Sequence, residues 1–97
     1  MRRQRTKTDS PANDGDSHSS WLVYFVRCRD HSLYCGITPD LAARLKKHND
    51  GRGAKYTRSR RPVELAWSKE VATKPEALKI EAKLKRLSKK DKERLCS

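Results

Sequence analysis

The chain has 97 residues, a formal net charge of +12 and a pI of about 10.1. That length bounds it to one small domain, near the lower limit for a self-sufficient core. The charge predicts a polyanionic partner, nucleic acid or an anionic membrane surface, and the lack of any long apolar run excludes a helical membrane span.

Residues 1–20 mix Arg, Lys, Asp, Ser, Pro, Asn and Gly without periodicity. They read as a disordered basic and polar tail, which leaves 21–97 as the folding domain. The head of the tail, Arg2-Arg3-Gln4-Arg5-Thr6-Lys7, either adds a loose contact to a phosphate backbone or merely solubilises. It has no apolar segment behind its charges, so it does not read as a secretory signal, and a cytoplasmic location is expected. The cysteines are Cys28, Cys35 and Cys96, an odd number without an export signal, which argues against a disulfide framework. Cys28 and Cys35 read as small buried side chains in strands, and no Cys-x2-Cys pair supports a zinc site.

Trp21 to Cys28 and Ser32 to Ile37 are rich in β-branched and aromatic residues and flank a polar turn, the pattern of a β-hairpin. Leu22, Tyr24, Val26 and Cys28 share one face; Val23, Phe25 and Arg27 share the other. Both faces are largely apolar, as in a central strand. Tyr24 and Tyr34 share a face only if the loop holds an odd number of residues, which Asp30-His31-Ser32 would satisfy.

Thr38-Pro39-Asp40-Leu41 predicts a helix start, with Thr38 as N-cap, Pro39 at the first helical position and an acid in the first turn. This helix runs to about His48 or Asn49 and stops at Asp50-Gly51. Leu41, Ala42 and Leu45 form its buried stripe, and Arg44 and His48 lie a turn apart on one face. Arg52 to Pro62 reads as a loop carrying five basic residues, one tyrosine and no acid. Val63 to Val71 is the third strand, with Val63, Leu65 and Trp67 on one face and Glu64, Ala66, Ser68 and Glu70 on the other. Thr73-Lys74-Pro75-Glu76 is a capping box for a helix from about Pro75 to Leu87, whose stripe is Ala77, Ile80, Leu84 and Leu87. Ser88 caps a last short helix to about Leu95.

The order β-β-α-β-α-α returns the third strand antiparallel to the first. The expected fold is α+β: a small three-stranded antiparallel sheet of order 2-1-3, flanked by helices.

Glu81 sits within the apolar stripe of the third helix. A carboxylate there must be paired, hydrogen-bonded or metal-bound; reaching out to a nearby lysine and serving a function are equally compatible with its spacing. Taken singly, Arg44 and His48 read as solvated members of a basic helix, and Tyr24 and Tyr34 as core or edge aromatics.

Together these residues resemble the GIY-YIG nuclease superfamily, in particular its small stand-alone bacterial members, which are related to the nuclease domain of an excision-repair protein. Val23-Tyr24-Phe25 stands at the first signature and Tyr34-Cys35-Gly36 at the second. Leu41-x-x-Arg44-Leu45-x-x-His48-Asn49 matches the arginine-bearing helix. Gly53-Ala54-Lys55-Tyr56-Thr57 matches a loop of the stand-alone branch, and Ala77-Leu78-Lys79-Ile80-Glu81 the segment presenting a metal-binding glutamate. The first triplet keeps only its tyrosine, and Cys35 replaces the usual middle residue of the second.

The resemblance implies hydrolysis of DNA phosphodiesters with magnesium or another divalent cation such as manganese, in repair or recombination. Glu81 would hold the metal and Arg44 clamp the phosphate. Tyr24 or Tyr34 would act as the base, its pKa lowered by Arg44, Lys55 or metal-bound solvent, and His48 would orient water or a tyrosine hydroxyl. Arg44, Lys55, Tyr56, Arg58, Arg60 and Arg61 would bind nucleic acid. A monomer without membrane contact or obligate protein partner is expected. The competing expectation is a non-catalytic DNA- or RNA-binding protein, for which the basic composition serves equally well.

Overall fold

In the computed structural model, which describes residues 20–97, Trp21–Arg27 forms β1 and Leu33–Thr38 forms β2. The expected tail lies outside the described residues. β1 and β2 pair antiparallel with Tyr24 opposite Gly36 and Val26 opposite Tyr34, so both tyrosines lie on one face. The loop has the required odd length and is Arg29-Asp30-His31, the turn between the two predicted strands, rather than Asp30-His31-Ser32. Ser32 directly precedes β2, its carbonyl accepting from the Cys28 N–H at 2.8 Å. The Asp30 carboxylate fixes this frame by accepting from the Ser32 N–H and hydroxyl. His31 takes the left-handed position, φ 71°, which closes three-residue hairpins.

Leu41–Asn49 forms α1. Its N-cap is Asp40, not Thr38: the Asp40 carboxylate accepts from the Ala43 N–H at 3.1 Å. Pro39 disfavours helical geometry in the residue before it, so Thr38 stays in β2 and its hydroxyl binds the Asp40 backbone instead. Ala42 is exposed, whereas Leu41 and Leu45 pack against the Tyr24 face. The basic loop contains an unpredicted single turn, α2, over Lys55–Arg58.

Glu64–Val71 forms β3, antiparallel to β1, and the sheet order is β2-β1-β3. The expected alternation along β3 fails at a bulge: Phe25 faces Trp67 and Val26 faces Leu65, leaving Ala66 as the extra residue. A bulge inserts one residue, so the alternation of faces on its two sides falls out of step. Val63 therefore packs with Tyr24, while Ala66 and Trp67 pack with Phe25 on the opposite face. Lys74–Lys85 forms α3, capped by Thr73, and Lys89–Cys96 forms α4, capped by Ser88.

The sheet thus separates two apolar clusters. Val23, Phe25, Cys35 and Ala77 form one, with Ile80, Leu84 and Leu95 from α3 and α4. Tyr24, Val26, Cys28 and Val63 form the other, with Leu41 and Leu45 of α1. Arg27 pins α4 to the sheet through two parallel bonds to Glu93, of 2.5 and 2.7 Å.

Candidate active site

The site is built on the α1 face of the sheet. Tyr24 and His48 are both fully buried, which overturns the reading of His48 as a solvated helix residue. The Tyr24 hydroxyl lies 3.0 Å from His48 Nε2, and Arg44 Nε–H donates to the same hydroxyl at 3.3 Å. His48 Nδ1 lies 2.9 Å from the buried Thr57 hydroxyl, which in turn donates to the Ala54 carbonyl at 2.9 Å. A hydroxyl has one proton to give. Thr57 spends it on Ala54 and so accepts from His48 Nδ1–H. His48 Nε2 is then a bare acceptor and takes the Tyr24 proton. The network alone assigns this tautomer.

Two glycines make the arrangement possible. A Cβ on Gly36 would lie 2.5 Å from the Tyr24 hydroxyl oxygen, because the ring crosses that position of β2. A Cβ on Gly53 would clash with His48 Nδ1 and lie 2.9 Å from His48 Cα, because the loop runs directly over the imidazole on its way to Thr57.

Burial raises the Tyr24 pKa above its ordinary 10.0, and the bond and charge of Arg44 only partly offset this. Arg44 thus lowers it as expected, but by less than burial raises it. Burial, with the Arg44 charge second, lowers the His48 pKa below 6.5, which keeps the imidazole neutral and able to accept. Tyr34 is half-buried. Its ring meets the edge of His48 at 5.6 Å between centroids and stacks on Tyr56 at 5.9 Å.

The basic residues divide into free and engaged groups. Arg60 is engaged: it pairs with Asp30 at 2.9 Å, donates to the Tyr56 carbonyl and lies 3.9 Å above the Tyr56 ring. Arg61 donates to the carbonyls of Arg58 and Asn49. Lys55 and Arg58 are exposed. Arg58 and Arg61 join Arg29 around a cavity of about 500 Å³ that no carboxylate lines.

Among the described residues no hydrogen bond joins Glu81 to either tyrosine. Its helix packs on the other face of the sheet, and among the described residues its ion pair is with Lys85, at 3.3 Å, with the carboxyl side chain 18% exposed. Lys85 and Tyr34 nevertheless line one cavity at the β2 edge, where Cys35 also lies. Burial and the nearby Glu81 charge push the Cys35 thiol up to about 11, so it stays protonated. Among the described residues no three His, Cys, Asp or Glu side chains cluster as metal ligands, and the cysteines are free.

Sequence reasoning assigns no role to Thr57, Ala54, Asp30, Arg29 or Lys85. Thr57 lies inside a matched motif, but nothing in its spacing ties it to His48. Gly53 lies there too; a glycine five residues after a histidine is the one signal that something passes close by.

Residues 20–94 match the GIY-YIG catalytic domain, and the chain belongs to that family. It is similar to UPF0213 proteins. One from Vibrio cholerae is 53% identical over 78 residues, covering 79% of this chain and 77% of that protein. YazA of Bacillus subtilis is 53% identical over 72 residues, covering 74% and 73%. Among solved structures, the UPF0213 protein BH0048 of Bacillus halodurans is 43% identical with a TM-score of 0.51, covering 78% of this chain and 81% of that one. EF2693 of E. faecalis is 42% identical with a TM-score of 0.55, covering 77% and 80%. No helix among the described residues is long and apolar enough to cross a membrane.

Proposed function

We propose that the protein is a magnesium-dependent DNA endonuclease, non-specific or directed by DNA structure, acting in cytoplasmic repair or recombination. The observation that carries this is the directed hydrogen-bond chain from Arg44 through Tyr24 and His48 to Thr57. Arg44 is half-buried and donates to the Tyr24 oxygen. A guanidinium prefers two parallel bonds to a phosphate, so a bound phosphodiester draws Arg44 over and uncovers the Tyr24 hydroxyl. Water against that oxygen gives it a proton as the Tyr24 proton passes to His48 Nε2. Tyr24 thus acts as a base without first ionising, which suits its raised pKa. Thr57 and Ala54 hold the ring in the accepting tautomer. Tyr34, half-buried beside His48, is the other tyrosine able to meet water.

Glu81 is the residue to hold the metal. One half-buried carboxylate suits magnesium, which keeps several waters and takes phosphate oxygens for the rest of its shell, and does not suit zinc. Magnesium held there would supply charge neutralisation to a bound phosphate.

The pairing of Glu81 with Lys85 favours the second reading, a binding protein without turnover. One variant separates the two. Glu81→Gln is expected to abolish magnesium-dependent nicking of plasmid or branched DNA while DNA binding in chelator persists. The pair it removes is partly solvated, so stability changes by no more than about 1 kcal/mol. Retained nicking removes Glu81 from the mechanism, and a wild-type protein that never nicks leaves the binding reading.

A further inference from the structure

The free edge of β2 carries a trough that, of the candidate catalytic residues, only Tyr34 lines. Two cavities, of about 320 and 260 Å³, adjoin there and share Leu33 and Lys92 in their lining. Its floor is apolar, made by Phe25, Leu33 and Cys35. One wall is Tyr34 and Tyr56. The rim is cationic: Lys85, Lys89 and Lys92 from α3 and α4. The one acid lining it, Glu93, is already neutralised by Arg27.

We propose that this trough receives an unpaired nucleic-acid strand, one base on the apolar floor and its flanking phosphates on the three lysines. The inference rests on the nuclease reading and names the substrate form for the same site. A duplex needs only a basic surface, since its bases are stacked and paired. A hydrophobic floor beside a basic rim answers to a base whose faces are free. The tyrosine wall is held upright in advance. Tyr56 stacks on Tyr34, the Arg60 guanidinium lies 3.9 Å from its ring centroid, and Asp30 fixes Arg60. The wall therefore does not collapse into the trough, and the base meets it without displacing either partner. The trough begins where the site ends: Tyr34 touches His48, and Lys85 touches Glu81.

Binding in chelator tests this without turnover. A short labelled oligothymidylate and a blunt duplex of the same length are titrated by fluorescence anisotropy against the wild-type protein and against K89A/K92A. Lys89 is exposed and Lys92 half-buried on α4, and a melting curve verifies the fold of the variant. The oligothymidylate is expected to bind roughly tenfold more tightly than the duplex. The double variant should lose roughly tenfold for the strand and less than about twofold for the duplex. Equal or tighter duplex binding overturns the proposal. So does a double variant that weakens both ligands alike, because the lysines then contribute only bulk charge. Magnesium-dependent nicking is scored separately. Strand preference without nicking leaves the trough and removes the nuclease; nicking without strand preference does the reverse.

Discussion

Tyr24 and Gly36 face each other across the β1–β2 ladder with no room between them. Gly36→Ala would put a methyl 2.7 Å from Tyr24 Cζ. Overpacking of this kind costs about 1–3 kcal/mol. The variant should melt lower and lose nicking, since the ring must leave His48; an unchanged melting temperature would show that the ring has slack. His48 carries a second prediction. Its folded pKa is lowered from 6.5, so the unfolded chain takes up the proton first as pH falls. Between the folded pKa and 6.5 the unfolded state binds more protons, and stability rises with pH across that window. The contribution is complete above about pH 6.5 and is lost on acidification. Nicking should fall through the folded pKa, because protonated Nε2 cannot accept from Tyr24. Denaturant titrations at acidic and neutral pH, wild type against His48→Gln, isolate this contribution. If the variant keeps the same pH dependence, His48 is not its source.

Among the elements, the join between α1 and β3 places Val63 and hence the register of the edge strand. Asn49 makes it by pairing with one residue twice: its amide donates to the Val63 carbonyl at 3.0 Å and its oxygen accepts from the Val63 N–H at 2.7 Å. Val63 is buried, so Asn49→Ala strands a backbone donor and acceptor, at a cost of about 1–3 kcal/mol. Urea unfolding should show a lower midpoint with an unchanged slope; no loss would mean that solvent reaches Val63. Other joins differ in how far the sequence discloses them. Thr73 and Ser88 are readable as caps because each stands alone before a polar turn. Thr38 and Asp40 are both good caps two residues apart, and only the steric effect of Pro39 chooses between them. The bulge at Ala66 leaves no mark, since alanine suits either face, and it reverses half a strand. The single turn α2 is too short for any period to show. The clustering of Tyr24, Arg44 and His48 follows from the hairpin face and the i, i+4 spacing, whereas Thr57 reaches His48 through a loop path that no local pattern encodes.

For the whole molecule, a net charge of +12 predicts attraction to a polyanion but not which side chains touch it. Sequence gives equal weight to Arg44, Lys55, Arg58, Arg60 and Arg61. The structure does not: Arg60 spends its guanidinium on Asp30, on the Tyr56 carbonyl and on the Tyr56 ring, while Lys55 stands exposed on α2. Each lysine that meets a phosphate releases counterions and steepens the salt dependence of binding. The slope of log K against log salt falls by about 0.9 per contact on duplex and about 0.7 on a single strand. Lys55→Ala should therefore weaken binding uniformly across sequences and make the slope shallower by nearly one. Arg60→Ala should leave the slope almost unchanged and lower the melting temperature, because it releases the Tyr56 stack and the Asp30 turn. Measuring both variants across low to moderate salt decides whether charge on this face is structural or used. Equal loss of slope in the two would mean that Arg60 leaves Asp30 for the phosphate, and the division between engaged and free arginines would fall.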